Sequence, residues 1–187
     1  MRRYGIIIAL GAAMLWGMLA AAGCAGGQVS NVGGSAGAAA YQVTDTQGNV
    51  LTLPRKPERI VTLSLSSDEM VLGMTQPERV VALHYLAYDP GISTIADKAG
   101  RVPVKMRDYN AEMLVALRAD LVIVPDWTQA ELTRTLRDLG LPVFVSKGPS
   151  SVAEIKQAIR EISQAIGEEE TGRRILEQMD GELDAIA

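Results

Sequence analysis

Cys24, the only cysteine of this 187-residue chain, stands at the end of an uncharged segment that follows two arginines. A single thiol can be acylated or oxidised, but it excludes any disulfide within the chain. Arg2 and Arg3 precede the uncharged residues 5–23, and small residues fill positions 20–23. This order of charge, apolar run and small residues is the layout of a secretory signal. We therefore predict that residues 1–23 are a signal peptide and that the protein is exported.

A cysteine directly at the cleavage point resembles the lipobox of bacterial lipoproteins, although Ala21 stands where a lipobox usually has leucine. The resemblance implies a diacylglycerol on the Cys24 thiol. The protein would then be anchored to the outer face of the cytoplasmic membrane or lie in the periplasm. The alternative is an uncleaved anchor, because the apolar run approaches the length of a membrane-spanning helix. Residues 24–40, rich in Gly, Ala and Ser, predict a flexible tether.

Charge and residue types exclude several functions. The chain has 18 basic and 22 acidic residues and no basic patch, so we expect no nucleic-acid partner. His84 is the only histidine, which argues against a zinc or manganese carrier, since such sites usually gather several ligands. We find no P-loop, no dinucleotide-binding glycine motif after a strand and no Cys–His pair, so we expect neither an enzyme nor a bound cofactor.

From Tyr41 onward, short β-forming runs alternate with amphipathic segments. Two runs around a polar turn with Gly48 predict a hairpin over 41–53. Later apolar runs predict strands at residues 59–63, 80–83, 121–124 and 142–145. Helices are expected at residues 66–74, 110–118, 128–139 and 151–166, three of them opened by capping boxes at Ser66, Thr128 and Ser151. Such alternation predicts an α/β fold with a parallel sheet flanked by helices.

The last residues, 168–187, predict a further helix with one apolar side, formed by Ile175, Leu176, Met179, Leu183 and Ile186. No later segment of the sequence covers this side. We therefore expect the helix to run onward into a part that the sequence does not contain.

Trp127 follows the third predicted strand. In parallel α/β sheets, ligands bind beyond the carboxyl ends of the strands. An indole at this position is well placed to stack on a flat ligand, and equally to pack at the start of the next helix.

Four sequence segments in order resemble class III periplasmic solute-binding proteins, which serve importers of cobalamin, ferric siderophores and haem. The segments are Val43-Thr44-Asp45 with Gly48, Leu53 to Leu63, Asn110 to Ile123 and Leu136 to Phe144. In that family, two α/β lobes are joined by a long helix, and the ligand lies between the lobes. The resemblance implies that residues 41–167 are the N-terminal lobe, that 168–187 begin the interlobe helix, and that the second lobe is absent.

The resemblance also implies roles for individual residues. Glu112 would dock on the permease of an ABC importer, although it could simply favour the helix N-terminus. A metal-chelate ligand (corrinoid, haem or siderophore) would contact Tyr85, Leu86, Tyr88, Met106, Arg107 and Tyr109, beside Trp127. Met106 is equally well explained as a core methionine, and the two tyrosines of residues 85–88 as a cover for the sheet edge. His84 more often has a structural role at such a place.

The rival hypothesis is a single-lobe partner-binding or adhesion lipoprotein without affinity for a chelate. The apolar side of the final helix argues against it, because large exposed apolar patches usually bind a partner.

Overall fold

The computed structural model of this protein describes residues 40–186. The predicted signal peptide, Cys24 and the tether up to residue 39 lie outside the described residues. Within residues 40–186, no helix combines the length and apolar character needed to cross a membrane.

A hairpin and a five-stranded parallel sheet form the β-structure. The predicted hairpin is confirmed as β1 (Tyr41–Thr44) paired antiparallel with β2 (Val50–Leu53). The sheet has the order β5-β4-β3-β6-β7. Its strands are β3 (Ile60–Thr62), β4 (Val80–His84), β5 (Val104–Met106), β6 (Leu121–Pro125) and β7 (Val143–Ser146). The predicted parallel sheet is therefore correct, but β5, an edge strand of three residues, was not predicted.

Six α-helices connect or flank these strands within residues 40–186: α1 (Leu65–Met74), α2 (Ala96–Ala99), α3 (Ala111–Ala116), α4 (Ala130–Asp138), α5 (Val152–Ile166) and α6 (Glu169–Asp184). Short 3-10 turns at Pro77–Arg79 and Tyr85–Tyr88 precede and follow β4. The helices cover both faces of the sheet. Side chains from α1, α5 and α6 share one apolar cluster with the hairpin, and side chains from α3 and α4 share a second.

The predicted helix caps are correct in one case of three. Ser151 caps α5 by accepting the backbone N–H of Glu154, as predicted. Ser64, not Ser66, caps α1, because Leu65 is already helical and places Ser66 inside the first turn. Thr128 does not cap α4, since its own N–H closes a turn onto the Pro125 carbonyl and the helix begins two residues later.

The hairpin turn is attached to the sheet by Asp45, whose side chain is fully buried. Its carboxylate accepts the backbone N–H groups of Gln47 and Asn49, which shapes the turn. It also accepts hydrogen bonds from Arg137 on α4 and from the backbone of Val145 on β7. A buried carboxylate with this many donors helps to hold the hairpin against β7.

The expectation that the apolar side of the final helix lacks a partner within the chain is wrong for most of its residues. Leu176 is buried, and Ile175 and Met179 pack against the same cluster as α5. Gly172 lies against Ser163, and Lys156 forms an ion pair with Asp180, so α6 runs antiparallel to α5. Gly167, with φ of 69°, allows this reversal. Only the end of this apolar side is exposed to solvent, where Ile186 is 83% exposed.

Arg79 fixes the corner at which this reversal takes place. Its guanidinium is largely buried and donates to the carbonyls of Pro57 and Ile166 and to the Thr75 hydroxyl. It also forms a 2.5 Å ion pair with Glu168, which Lys56 joins from the other side at 2.6 Å. One side chain thus joins the segment entering β3, the end of α1 and the link between α5 and α6.

We expect Arg79→Met to destabilise the fold by about 2–3 kcal/mol, because it leaves three buried acceptors and one carboxylate with fewer donors. Arg101→Met is the matched control, since Arg101 pairs with Glu78 at an exposed site. It should cost less than about 1 kcal/mol. Urea unfolding of both variants provides the measurement, and equal losses would contradict the role given to Arg79.

Candidate functional site

The carboxyl ends of all five strands lie at one edge of the sheet, because the strands are parallel. The strand order changes direction at β3, which has β4 on one side and β6 on the other. Such a point opens a crevice in which α/β proteins bind ligands. The segments at this edge are 63–67, 84–89, 107–110, 126–129 and 147–150, and they include most of the residues that the sequence predicted to contact a ligand.

The segment after β4 presents Tyr85 and Leu86, both half-buried, in a single 3-10 turn. His84 begins this turn, and its Nδ1 accepts the backbone N–H of Leu86 at 3.4 Å. The His84 and Tyr85 rings lie 4.7 Å apart at a tilted angle. Burial, with a smaller effect from the Arg107 charge, lowers the pKa of His84 below 6.5. His84 therefore has the structural role that its position favoured, as a cap for the turn.

Two cations from β5 and its exit lie over aromatic rings of this turn. The guanidinium carbon of Arg107 is 4.0 Å from the centre of the Tyr85 ring, and Lys105 Nζ is 5.0 Å from the centre of the Tyr88 ring. The register between β4 and β5 explains the contact, since it places His84 beside Met106. Cations held over aromatic faces keep their donors available for other groups. Together with Leu86 and Asp89, three of these residues line an open cavity of about 370 Å³.

Tyr88 has a structural role in this arrangement. Its hydroxyl donates to the carbonyls of Val102 and Val104 at 3.2 and 3.0 Å. Its ring packs against the first apolar cluster. Burial raises the pKa of Tyr88 to about 12, so the hydroxyl stays protonated as a donor. The sequence left open whether Tyr88 contacts a ligand or covers the edge of the sheet, and these contacts favour the second explanation.

Met106 is only 2% exposed and packs in the second apolar cluster with Leu114. This burial supports the core methionine that the sequence left open as the alternative, because the strand directs the side chain into the core, and the contact of Met106 with a ligand stays a prediction. Tyr109 is half-buried and also packs against this cluster, so one part of it remains at the surface. Arg107, between them, is exposed. Asp108, the next residue, is exposed as well, so the segment after β5 presents two charged side chains to solvent.

Glu112 is exposed in the first turn of α3. Asn110 caps this helix by accepting the backbone N–H of Met113 at 2.9 Å. Met113 and Val115 are also exposed. Only Leu114 of the helix is buried. The start of α3 therefore presents a carboxylate beside apolar side chains, a composition suited to an interface.

Trp127 is 66% exposed at the exit of β6, the largest exposed aromatic side chain of the described residues. Its ring rests on Gly148, which follows β7. A Cβ placed on Gly148 would lie 2.5 Å from Cζ3 of the indole, which is closer than atoms can approach. Gly148 is therefore a supporting residue that the sequence alone did not identify, because the contact joins loops 21 positions apart.

Asp68 is a second residue of this edge that was not identified. It is fully buried in the first turn of α1, accepts the Thr62 hydroxyl and accepts the backbone N–H of His84 at 3.1 Å. Burial raises the pKa of Asp68 to about 8. An aspartate in a first helical turn normally indicates only a favourable charge near the helix dipole, so nothing in the sequence marked it.

No protein-family model matches the chain. It is 24% identical over 147 residues to YvrC of Bacillus subtilis, described as an uncharacterised ABC transporter substrate-binding lipoprotein; the match covers 77% of this chain and 45% of YvrC. It is 27% identical over 133 residues to a cobalamin-binding protein of Halobacterium salinarum, covering 70% of this chain and 35% of that protein. These similarities confirm the resemblance to class III solute-binding proteins.

The fold is shared as well. The crystal structure of the heme binding protein HmuT matches 81% of this chain and 48% of HmuT with a TM-score of 0.64 and 22% identity. This likeness confirms the predicted α/β fold. The chain spans between about a third and a half of the length of the curated relatives it matches.

We expect Gly148→Ala to displace the Trp127 ring and to increase its motion, because a methyl group cannot fit against the indole. The measurement is steady-state tryptophan anisotropy in a Trp16→Phe background, in which Trp127 is the only emitter. Gly73→Ala, where a Cβ meets nothing within 4 Å, is the control. Unchanged anisotropy in the Gly148 variant would show that the ring is not supported there.

Proposed function

We propose that this chain is the N-terminal lobe of the lipid-anchored substrate-binding component of an ABC importer. It captures a metal chelate outside the cytoplasmic membrane and delivers it to a permease. Residues 41–167 form the lobe, and α6 begins the connection to a second lobe. The observation that carries the proposal is the edge at the strands' carboxyl ends, where Tyr85, Arg107 and Trp127 present aromatic and cationic groups on a fold shared with heme binding protein HmuT.

The chemistry of this edge suits a large, partly flat and partly anionic ligand. An exposed indole supplies a stacking surface, and Tyr85 and Leu86 add apolar area. Within residues 40–186, neither Lys105 nor Arg107 forms an ion pair with a carboxylate. Their charges are therefore available to the carboxylate groups of haem or to the oxygen donors of a ferric siderophore. A corrinoid would use the stacking surface more than the charges.

Glu112 is proposed as the contact to the permease. Its exposure at the start of α3, beside Met113 and Val115, suits an interface in which a carboxylate meets a basic side chain of the partner. The cap at Asn110 does not involve the Glu112 side chain, so Glu112 can contact a partner without disturbing the start of α3.

The single-lobe partner-binding hypothesis has gained one supporting observation. The sequence argued against it through the apolar side of the final helix, and α5 covers most of that side. Because α6 packs against α5, a second lobe is not needed to bury the apolar side of α6. Ligand binding therefore decides between the two functions.

A ligand titration tests the proposal. The chain from residue 24 onward, with Cys24→Ser for solubility, is titrated with cyanocobalamin, haemin and ferric siderophores of the hydroxamate and catecholate types, following Trp127 fluorescence. The same chain extended to the natural stop codon of its gene is titrated in parallel. We expect saturable quenching by one ligand, stronger in the extended form. No quenching in either folded form would favour the partner-binding hypothesis.

Arg107→Met should weaken the binding of an anionic ligand by about tenfold or more, since a charged hydrogen bond contributes roughly 1.5–3 kcal/mol. Arg101→Met is the control, because Arg101 precedes β5 and lies away from the carboxyl edge. Equal affinities in the two variants would remove Arg107 from the site.

Lipid attachment at Cys24 has a separate test. Cys24→Ser should abolish the incorporation of labelled palmitate by bacteria that express the full chain, because the thiol is the only acceptor of its kind. Ser30→Ala, six residues further on, should leave the labelling unchanged. Label retained in the Cys24 variant would contradict lipidation at this residue.

A further inference from the structure

Asp68 is a fully buried residue at the carboxyl edge of the sheet. It belongs to α1, yet its two oxygens bond to other elements. Oδ1 accepts the hydroxyl of Thr62, the last residue of β3, and Oδ2 accepts the backbone N–H of His84, the last residue of β4, at 3.1 Å. The carboxyl group therefore bridges two strand ends at the point where the chain leaves β4 for the turn at residues 85–88.

These bonds lie on the side of β4 that faces β3, where the recorded strand pairing ends before His84. The pairing of β3 with β4 is irregular between Ile60 and Val61, and the register is recorded only as far as Val61 and Ala82. His84, two residues later on β4, donates its N–H to Asp68, while on the other side of the strand it is paired with Met106 of β5. Because a backbone N–H that loses its acceptor away from water is destabilised, the Asp68 carboxyl group helps to fix the position of His84.

We propose that Asp68 is the positioning residue of the turn at 85–88: it anchors the backbone of His84 and thereby holds Tyr85 and Leu86 at the candidate binding edge. The anchoring stands on the geometry alone, whereas its effect on ligand affinity rests on the proposed function. His84 in turn holds the next two residues in place, because its ring accepts the backbone N–H of Leu86 and lies beside the Tyr85 ring.

The anchor should also respond to pH. Burial raises the pKa of Asp68 to about 8, with Glu69 adding to the effect. Two neighbouring groups titrate outside this range, since the pKa of His84 is lowered below 6.5 and that of Tyr88 is raised to about 12. Between pH 7 and 9, Asp68 is therefore the group of this set that titrates.

The sign of the effect follows from linkage. A carboxyl group with a raised pKa holds its proton in the folded state while the unfolded chain has already lost it, so stability falls as the pH rises from about 4 to about 8. Above about pH 8 a charged carboxylate with only two donors is buried at this site. We expect the turn at 85–88 to loosen there.

Two substitutions of Asp68 distinguish the effect of its hydrogen bonds from the effect of its charge. Asp68→Asn keeps both bonds, because its amide oxygen can accept the His84 N–H and its NH₂ can donate to Thr62, but it cannot titrate. Asp68→Leu has a similar size and removes both bonds. If the leucine variant does not fold, Thr62→Val removes one bond and leaves the His84 contact in place.

The measurement is amide hydrogen exchange of the full 187-residue chain in detergent, with β7 as the internal reference. At pH 7 we expect Asp68→Leu to increase the exchange of residues 84–88 by at least tenfold and that of 143–146 by less than twofold, while Asp68→Asn matches the wild type. For Thr62→Val we expect an increase of about threefold confined to 84–88. Unchanged exchange at 84–88, or an equal increase across both segments, would overturn the proposal.

Two further readouts extend the test. The ratio of wild-type to Asp68→Asn exchange at 84–88 should rise between pH 7 and 9, and a constant ratio would contradict the pH response. Haemin affinity at pH 7 should fall at least tenfold in Asp68→Leu and stay unchanged in Arg101→Met. If haemin binds no form while the exchange result holds, the proposed cargo fails and the anchor stands.

Discussion

A parallel sheet with both faces buried is the constraint on which the rest of this structure depends. Every residue of β6 and β7 is buried, so neither face of the sheet can be left to water. One layer of helices must cover each face, and each crossover must return the chain to the same end of the sheet. The carboxyl ends consequently share one edge. The loops that leave the strands therefore lie side by side at this edge, and they carry Tyr85, Arg107 and Trp127.

Polar groups, rather than additional apolar contacts, position the parts that the sheet does not hold directly. Asp45 attaches the hairpin to β7, Arg79 fixes the corner before α6, and Asp68 joins the ends of β3 and β4. Each lies at a junction of three elements and is largely buried. Such groups contribute direction more than net stability, because desolvation offsets much of their favourable interaction. The same junctions determine where the binding edge and the final helix lie.

The carboxyl edge combines rigid and adjustable features. The Tyr88 hydroxyl and the Asp68 carboxyl group bond to backbone groups, so they define the shape of the turn between them. Arg107 and Trp127 project from that frame with their polar or aromatic surfaces open. This division suits the proposed function, in which the protein holds a bulky ligand and releases it to a permease. Rigid support lowers the entropic cost of binding, and open side chains provide the contacts.

The amino-acid sequence by itself determined the hairpin, four of the five sheet strands, the alternation with helices and the cap at Ser151, because these depend on local periodicity and local hydrogen bonds. Tertiary structure decided what depends on distant neighbours. The burial of Met106 follows from the edge strand β5, whose three residues are too short for a periodic signal. The support of Trp127 by Gly148 and the bridge made by Asp68 join residues that only the sheet brings together. The same holds for α6, whose apolar side found its partner in α5 through a reversal at Gly167.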